Sequence, residues 1–117
     1  MPAPEVIFLS GDLIFAGRVR AVCEAAELRF TFGTSLPQPG EDHPAEDVRW
    51  VILDLSTRGG IVNTLVPEAR ERFAGARVIA YAPHVHKSRL EAAREAGFDA
   101  VMTRGQFDSW LPQIGSV

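Results

Sequence analysis

The chain has little of several features that define large classes of proteins. Its 117 residues include a single cysteine, Cys23, so an intramolecular disulfide is excluded. No apolar run approaches the length that crosses a bilayer, and no basic leader precedes the first apolar run. The 12 Lys and Arg are scattered among 15 Asp and Glu, the formal net charge is -3 at pH 7, and no basic stripe is present. We therefore expect a cytoplasmic protein that binds neither nucleic acid nor a membrane.

Motifs of common enzyme classes are also missing. The turn after the first apolar run, Ser10-Gly11-Asp12, contains no G-x-G-x-x-G pattern, and no Walker sequence or serine elbow occurs. Cys23 lies within an apolar stripe of helical period and has no nearby histidine, which favours a small core residue over a nucleophile. We expect that the chain is not an enzyme.

What the sequence does contain is a series of short β-rich runs that alternate with segments of helical period. Between the first two runs, Phe15, Val19 and Val22 recur at the spacing of one helix face. This alternation is typical of a parallel sheet with helices packed on its faces. Length and a hydrophobic content of 46% fit one core. We therefore predict a single α/β domain over residues 1–117, with strands at Glu5–Leu9, 28–32, 49–53, 77–81 and Ala100–Thr103.

Residues 35–44 interrupt the alternation. They include three prolines and one glycine among few apolar residues, so no amphipathic helix can be written there. At most one turn is expected around residues 44–47, and the second helix is predicted to be short or missing. Trp50, which follows, is expected in the core, with exposure to a partner as the alternative.

A clear helix is predicted before the last strand. Ser88 is expected to cap its start, and Leu90 and Ala93 are expected to face inward. Gly97 stands where a left-handed residue would end it.

Two acids stand where apolar runs end. Asp54 ends the third run, and Asp12 follows the first run. Open α/β sheets assemble their ligand sites outside the carboxyl ends of the strands, so we expect both side chains at one crevice. Two carboxylates at neighbouring strand ends can hold a hard cation, or one of them can act as a nucleophile.

The chain resembles the receiver domain of bacterial two-component response regulators, which has the CheY-like (flavodoxin-like) fold. The resemblance covers nearly the whole chain and rests on Asp54, Asp12 and the passage at 92–100, which looks like the family's fourth helix running into its fifth strand. It implies a signalling domain of a phosphorelay, with a sensor histidine kinase or another signalling protein as its partner. By position, Asp54 matches the phosphoacceptor, and Asp12 and Asp54 match ligands of Mg²⁺.

Several positions depart from the family's pattern. Gly11 stands where a second acid is usual, so one negative charge is missing and Mg²⁺ is expected to bind weakly. Ala82 falls at the position of the switch hydroxyl, where no side-chain oxygen can follow a phosphoryl group. Arg104 falls at the lysine position, with a planar guanidinium in place of an ammonium. The loop after Asp54 is shorter than usual and lacks the usual proline. We therefore expect an atypical receiver or pseudo-receiver with a degraded switch.

The residues leave other roles open for the two acids. Asp54 can instead cap a strand end and pair with Arg104. For Asp12, a role as the N-cap of the following helix would be sufficient to explain its position. The chain would then be a phosphorylation-independent protein interaction module. His84 and His86, which follow the fourth run, could join the acids in a transition-metal site, which would favour a small metal-binding enzyme.

The family's usual output face is the expected partner surface. It would comprise the fourth helix, the fifth strand and the segment 106–114, where Phe107 and Trp110 supply apolar area. We prefer the alternative interpretation, in which these two aromatic side chains belong to the hydrophobic core.

Overall fold

A five-stranded parallel sheet forms the centre of the molecule in the computed structural model, which describes residues 3–116. The strand order is β2-β1-β3-β4-β5, and every neighbouring pair is parallel. The prediction of a CheY/flavodoxin-like sheet is confirmed, with strand bounds that differ from the predicted ones by at most one residue. The strands are β1 (Glu5–Leu9), β2 (Arg29–Gly33), β3 (Val48–Asp54), β4 (Arg77–Ala82) and β5 (Ala100–Thr103).

Helices connect the strands, with one exception. Between β2 and β3 the described chain forms only a 3₁₀ turn, Ala45–Asp47, as the proline-rich sequence predicts. Further 3₁₀ turns lie at Gly59–Ile61 and Leu111–Gln113. The α-helices are α1 (Leu13–Ala25), α2 (Leu55–Arg58), α3 (Leu65–Arg72), α4 (Lys87–Glu95) and α5 (Arg104–Trp110). No described helix combines the length and apolar character needed to span a membrane.

Two apolar layers sandwich the sheet. Helix α1 buries Phe15, Val19 and Cys23 on one face, where they join Phe107 of α5. Helices α3 and α4 cover the other face, in a layer that includes Leu65. Fully burying side chains of this size is worth roughly 1.5–3 kcal/mol each, so these stripes fix how the helices lie on the sheet.

The aromatic residues near the C-terminus belong mainly to the core. Phe107 is fully buried and stacks on Tyr81 with the ring centroids 4.5 Å apart, while Trp110 is half-buried. Trp50 is 4% exposed. The core interpretation is therefore correct for Phe107 and Trp50, and Trp110 packs against the margin of this core.

Two local predictions are wrong. Ser88 does not cap α4, because the Leu90 N–H already bonds to the His86 carbonyl and places Ser88 inside the first turn. The segment after Asp54 is not an open loop, since residues 55–58 form α2. Gly97 ends its helix at φ 87°, which confirms the left-handed residue expected there.

Candidate functional site at the carboxyl edge of the sheet

Asp54 and Ser10 meet where two adjacent central strands end. In the pairing of β1 with β3, Leu9 lies opposite Leu53, so the residues that follow them are neighbours. Both are buried, with Ser10 at 0% and Asp54 at 4% exposure. A carboxylate so far removed from water needs hydrogen-bond donors to offset the cost of desolvation.

Three donors from the protein bind the Asp54 carboxylate. Its Oδ2 accepts hydrogen bonds from Ser10 Oγ at 2.7 Å and Thr57 Oγ1 at 2.8 Å. Its Oδ1 accepts the Ser56 N–H at 3.0 Å. Thr57 Oγ1 in turn accepts the Gly11 N–H at 2.8 Å, which ties the turn after β1 to α2. The carboxylate is therefore enclosed by a hydrogen-bond network that joins two segments far apart in sequence.

Asp54 is also the N-cap of α2. Its backbone is extended (φ -82°, ψ 103°), and its side chain accepts an N–H of the first turn, as Asp does at helix starts. The alternative interpretation expected Asp54 to cap a strand end, whereas the structure makes it a helix cap. The ion pair expected between Asp54 and Arg104 does not form, because Arg104 pairs with Asp12 instead.

Asp12 lies at the same edge and caps a different helix. Its Oδ1 accepts the Phe15 N–H at 3.0 Å, and Arg104 Nη1 lies 3.7 Å from its Oδ2. The Arg104 guanidinium covers the Phe15 ring, 4.1 Å from the centroid. The two charged side chains are 46% and 30% exposed, so the ion pair contributes little to stability.

The residues at this edge fit Mg²⁺ poorly. A magnesium site in such a fold relies on several hard oxygen ligands. Here Asp12 and Asp54 both serve as helix caps, and the Arg104 cation already faces Asp12. Within residues 3–116, no group of three or more His, Cys, Asp or Glu side chains is arranged to hold a metal ion.

The two histidines after β4 do not complete a metal site with the acids. His86 Nδ1 lies 3.4 Å from Ser56 Oγ, a weak contact, and His84 is exposed. The expectation of a transition-metal centre that includes His84 and His86 therefore finds no support in the described residues.

The end of β4 supplies a phenol that the sequence analysis overlooked. Ala82 is fully buried and offers no hydroxyl, whereas Tyr81 pairs in register with Asp54. The Tyr81 hydroxyl is buried without a hydrogen-bond partner among the described residues. Burial raises the pKa of Tyr81 far above its usual value, and the negative charge of Asp54 raises this pKa further.

Arg89 connects this edge to α4. Its Nη1 donates to the Leu55 carbonyl at 2.6 Å and to the Ser56 carbonyl at 3.2 Å. These acceptors belong to the first residues of α2, so Arg89 ties the start of α4 to the turn that Asp54 caps.

Exposed apolar side chains surround the same edge. Leu13 is 74% exposed, Ile14 90% and Val85 67%. Leu13 and Ile14 open α1, and Val85 lies in the turn after β4, so all three stand at the carboxyl ends of the strands. Leu13 and Ile14 are adjacent in the chain, and large exposed apolar side chains that lie together are typical of an interaction surface.

Comparison with known proteins identifies the fold. A response regulator from Thermotoga maritima superposes with a TM-score of 0.66 at 18% identity, over 97% of this chain and 96% of that one. A CheY-like response regulator from Mesorhizobium loti gives 0.65 at 20% identity, over 97% and 98%. The chain has the receiver fold. A response regulator from Burkholderia pseudomallei, solved with a phosphorylated aspartic acid and a calcium ion, gives a TM-score of 0.62 at 10% identity, over 97% of this chain and 71% of that one.

No protein-family model matches the sequence, and no protein of curated function is similar to it. At these low identities the receiver structures establish the architecture only. The roles of Asp54, Asp12, Ala82 and Arg104 therefore remain hypotheses.

The sequence analysis missed Ser10 and Thr57, the two hydroxyl residues that bind Asp54. One signal was available, because Ser10 directly follows β1 as Asp54 ends β3. Thr57 gave no signal, since its position depends on α2, a helical turn that the sequence analysis did not predict.

Proposed function

We propose that the chain is a receiver-fold signalling domain that binds a protein partner at the carboxyl edge of its sheet, without phosphorylation of Asp54. The observation that carries this proposal is the enclosure of the carboxylate. Asp54 Oδ2 accepts two hydroxyl hydrogen bonds, from Ser10 and Thr57, and the side chain is almost fully buried.

Three features of the edge support a role without phosphoryl transfer. In that reaction an attacking carboxylate oxygen must reach phosphorus in line, and cations must stabilise the charge on the transferred group. Here Ser10 and Thr57 both donate hydrogen bonds to Oδ2, and the Arg104 guanidinium pairs with Asp12. Ala82 provides no hydroxyl to follow a bound phosphoryl group.

The exposed apolar side chains supply the surface for a partner. Leu13, Ile14 and Val85 offer contact area beside a network of hydrogen bonds that holds the edge in one conformation. A preorganised apolar patch loses little entropy on binding. The partner in this proposal is a sensor histidine kinase or another signalling protein with a complementary apolar surface.

A second candidate is a working phosphoacceptor. It is favoured by the position of Asp54 at the end of a central parallel strand and by a cation, Arg104, at the same edge. It requires the Ser10 and Thr57 hydroxyls to rotate away from Oδ2 before transfer.

Intact-protein mass spectrometry separates the two candidates. We expect the folded wild-type chain to gain no phosphate during incubation with Mg²⁺ and a small phosphodonor such as acetyl phosphate. A phosphate-sized gain that requires both Mg²⁺ and Asp54, and is lost in Asp54→Asn, would establish the second candidate.

Site-specific photocrosslinking tests the partner surface directly, with a histidine kinase as the probe. A photoreactive residue at Ile14 is expected to crosslink to the kinase, and one at the exposed Glu71 of α3 is the matched control. Crosslinking at Ile14 that persists in the Asp54→Asn background supports the proposal. Equal crosslinking at both positions, or its loss in Asp54→Asn, contradicts it.

A further inference from the structure

A cavity lies on the α5 side of the sheet, toward the amino ends of β3, β4 and β5 and away from Asp54. Its volume is ≈ 370 Å³, and its walls include Trp50, Arg77, Ile79, Met102 and Trp110. An adjoining hollow of ≈ 190 Å³ shares Trp50 and Arg77 and adds Arg49. The first volume alone falls in the range of small-molecule sites, roughly 300–1,000 Å³.

Aromatic rings form one wall of this cavity. Trp50 and Trp110 meet edge to face, with ring centroids 4.9 Å apart and planes at 73°. The Arg77 guanidinium lies 5.6 Å from the Trp50 ring centroid. The Trp50 Nε1–H is buried and finds no acceptor among the described residues. The wall therefore favours a flat apolar group.

The rim of the cavity carries one cation, Arg77, and one acid, Asp99. Among residues 3–116, no carboxylate lies within 4.0 Å of a charged nitrogen of Arg77 or Arg49. Asp99 is the acid at the rim, but it accepts the Val78 N–H at 2.7 Å and pairs with Arg70 at 3.2 Å. Arg77 is thus left to bind an anion beside an aromatic wall, and Arg49 lines the adjoining hollow.

We propose that this cavity binds a small aromatic carboxylate, with the ring against the tryptophans and the carboxylate at Arg77. Arginine forms charge-assisted, often bidentate hydrogen bonds with carboxylates, and its own stacking on Trp50 limits the freedom of the guanidinium. This site is separate from the edge that carries Asp54, so the ligand proposal does not depend on the proposed function.

The two tryptophans make the test specific. They are the only tryptophans in the chain, and both line the cavity, so the two indole N–H signals in a ¹⁵N-labelled NMR spectrum report on this site alone. The probe is 2-naphthoate, and the uncharged 2-naphthamide is the matched control ligand. We expect 2-naphthoate to shift both indole signals and to bind about tenfold more tightly than the amide.

Protein variants test whether the positive charge of Arg77 binds the carboxylate of 2-naphthoate. Arg77→Gln is expected to weaken 2-naphthoate binding about tenfold and to leave the affinity for 2-naphthamide nearly unchanged. Arg94→Gln, on the exposed face of α4, is the control and should bind 2-naphthoate like wild type. Unshifted indole signals at millimolar 2-naphthoate, or equal affinity for the acid and the amide, would overturn the proposal. The comparison of the two ligands uses the wild-type chain and holds even where a variant fails to fold.

Discussion

Replacement of Asp54 by alanine tests whether the carboxylate is a structural cap. The change leaves the hydroxyls of Ser10 and Thr57 and the N–H of Ser56 without their acceptor. A hydrogen bond to a charged group contributes about 1.5–3 kcal/mol, and loss of an Asp N-cap costs about 0.5–2 kcal/mol. These terms overlap, and Thr57 can recover a bond to water, so we expect a loss of about 3 kcal/mol in the free energy of unfolding.

The sign of the effect tests the hydrogen-bond network itself, which is present under either candidate function. A cap bound by three donors must destabilise on removal. Urea unfolding at pH 7, followed by circular dichroism, measures the difference. Asp42→Ala, at an exposed acid whose side chain makes no contact among those described, is the control and should change stability by less than about 0.5 kcal/mol.

A double-mutant cycle adds a second check on the same reasoning. Thr57→Val keeps the side-chain shape and removes the hydroxyl, so it should cost about 1 kcal/mol in the wild type and far less in Asp54→Ala. An Asp54→Ala protein as stable as wild type would refute the description of Asp54 as a cap. Additive losses in the double mutant would refute the hydrogen bond from Thr57 to Asp54.

Three further predictions concern other parts of the fold. Gly97→Ala should lower the free energy of unfolding by about 1 kcal/mol, measured by urea titration, because φ at this position is 87°. Burial, followed by the charge of Glu24, raises the pKa of Cys23 to about 11, so a thiol reagent at pH 8 should label the unfolded chain far faster than the native one. Burial works to raise the pKa of Asp99, but the Val78 N–H and Arg70 together lower it below 3.8. The stability that Asp99 provides is therefore present above that pH and lost as the pH falls through the lowered pKa, so Asp99→Asn should flatten the acid limb of an unfolding curve measured from pH 5 to 2.

Most of the fold could be predicted because it follows from periodicity. Three of the five apolar runs correspond to the central strands β1, β3 and β4, which are almost wholly buried, and such strands keep their hydrophobic signal in any context. The edge strands β2 and β5 are only partly buried, yet their short β-rich runs were also found. The proline-rich segment excluded a helix between β2 and β3 by its backbone chemistry alone. The start of α4 was less predictable, since His86 and Ser88 can both precede a helical turn and tertiary packing decides between them.

The site was predicted only in its location. Because ligand sites of open α/β sheets lie outside the carboxyl ends of the strands, Asp54 and Asp12 could be predicted to lie at one edge. The spacing of residues in the sequence cannot show which hydrogen-bond donors face a carboxylate. Ser10 reaches Asp54 through the register of β1 against β3, and Thr57 through a helical turn that Asp54 itself caps. Arg104 pairs with Asp12 because its guanidinium also makes a cation–π contact with the Phe15 ring at the start of α1. These choices depend on distances in three dimensions.

The carboxylates at this edge have charged or hydrogen-bonding partners within the chain. Several acids in one crevice repel one another, and a divalent ion relieves that repulsion. Here Asp54 accepts hydrogen bonds from the Ser10 and Thr57 hydroxyls and from the Ser56 N–H. Gly11 stands directly before Asp12, and Arg104 compensates the charge of Asp12. The carboxylates are therefore satisfied within the chain. A partner that binds the neighbouring Leu13 and Ile14 would meet the same conformation with or without Mg²⁺, so its affinity should not depend on that ion.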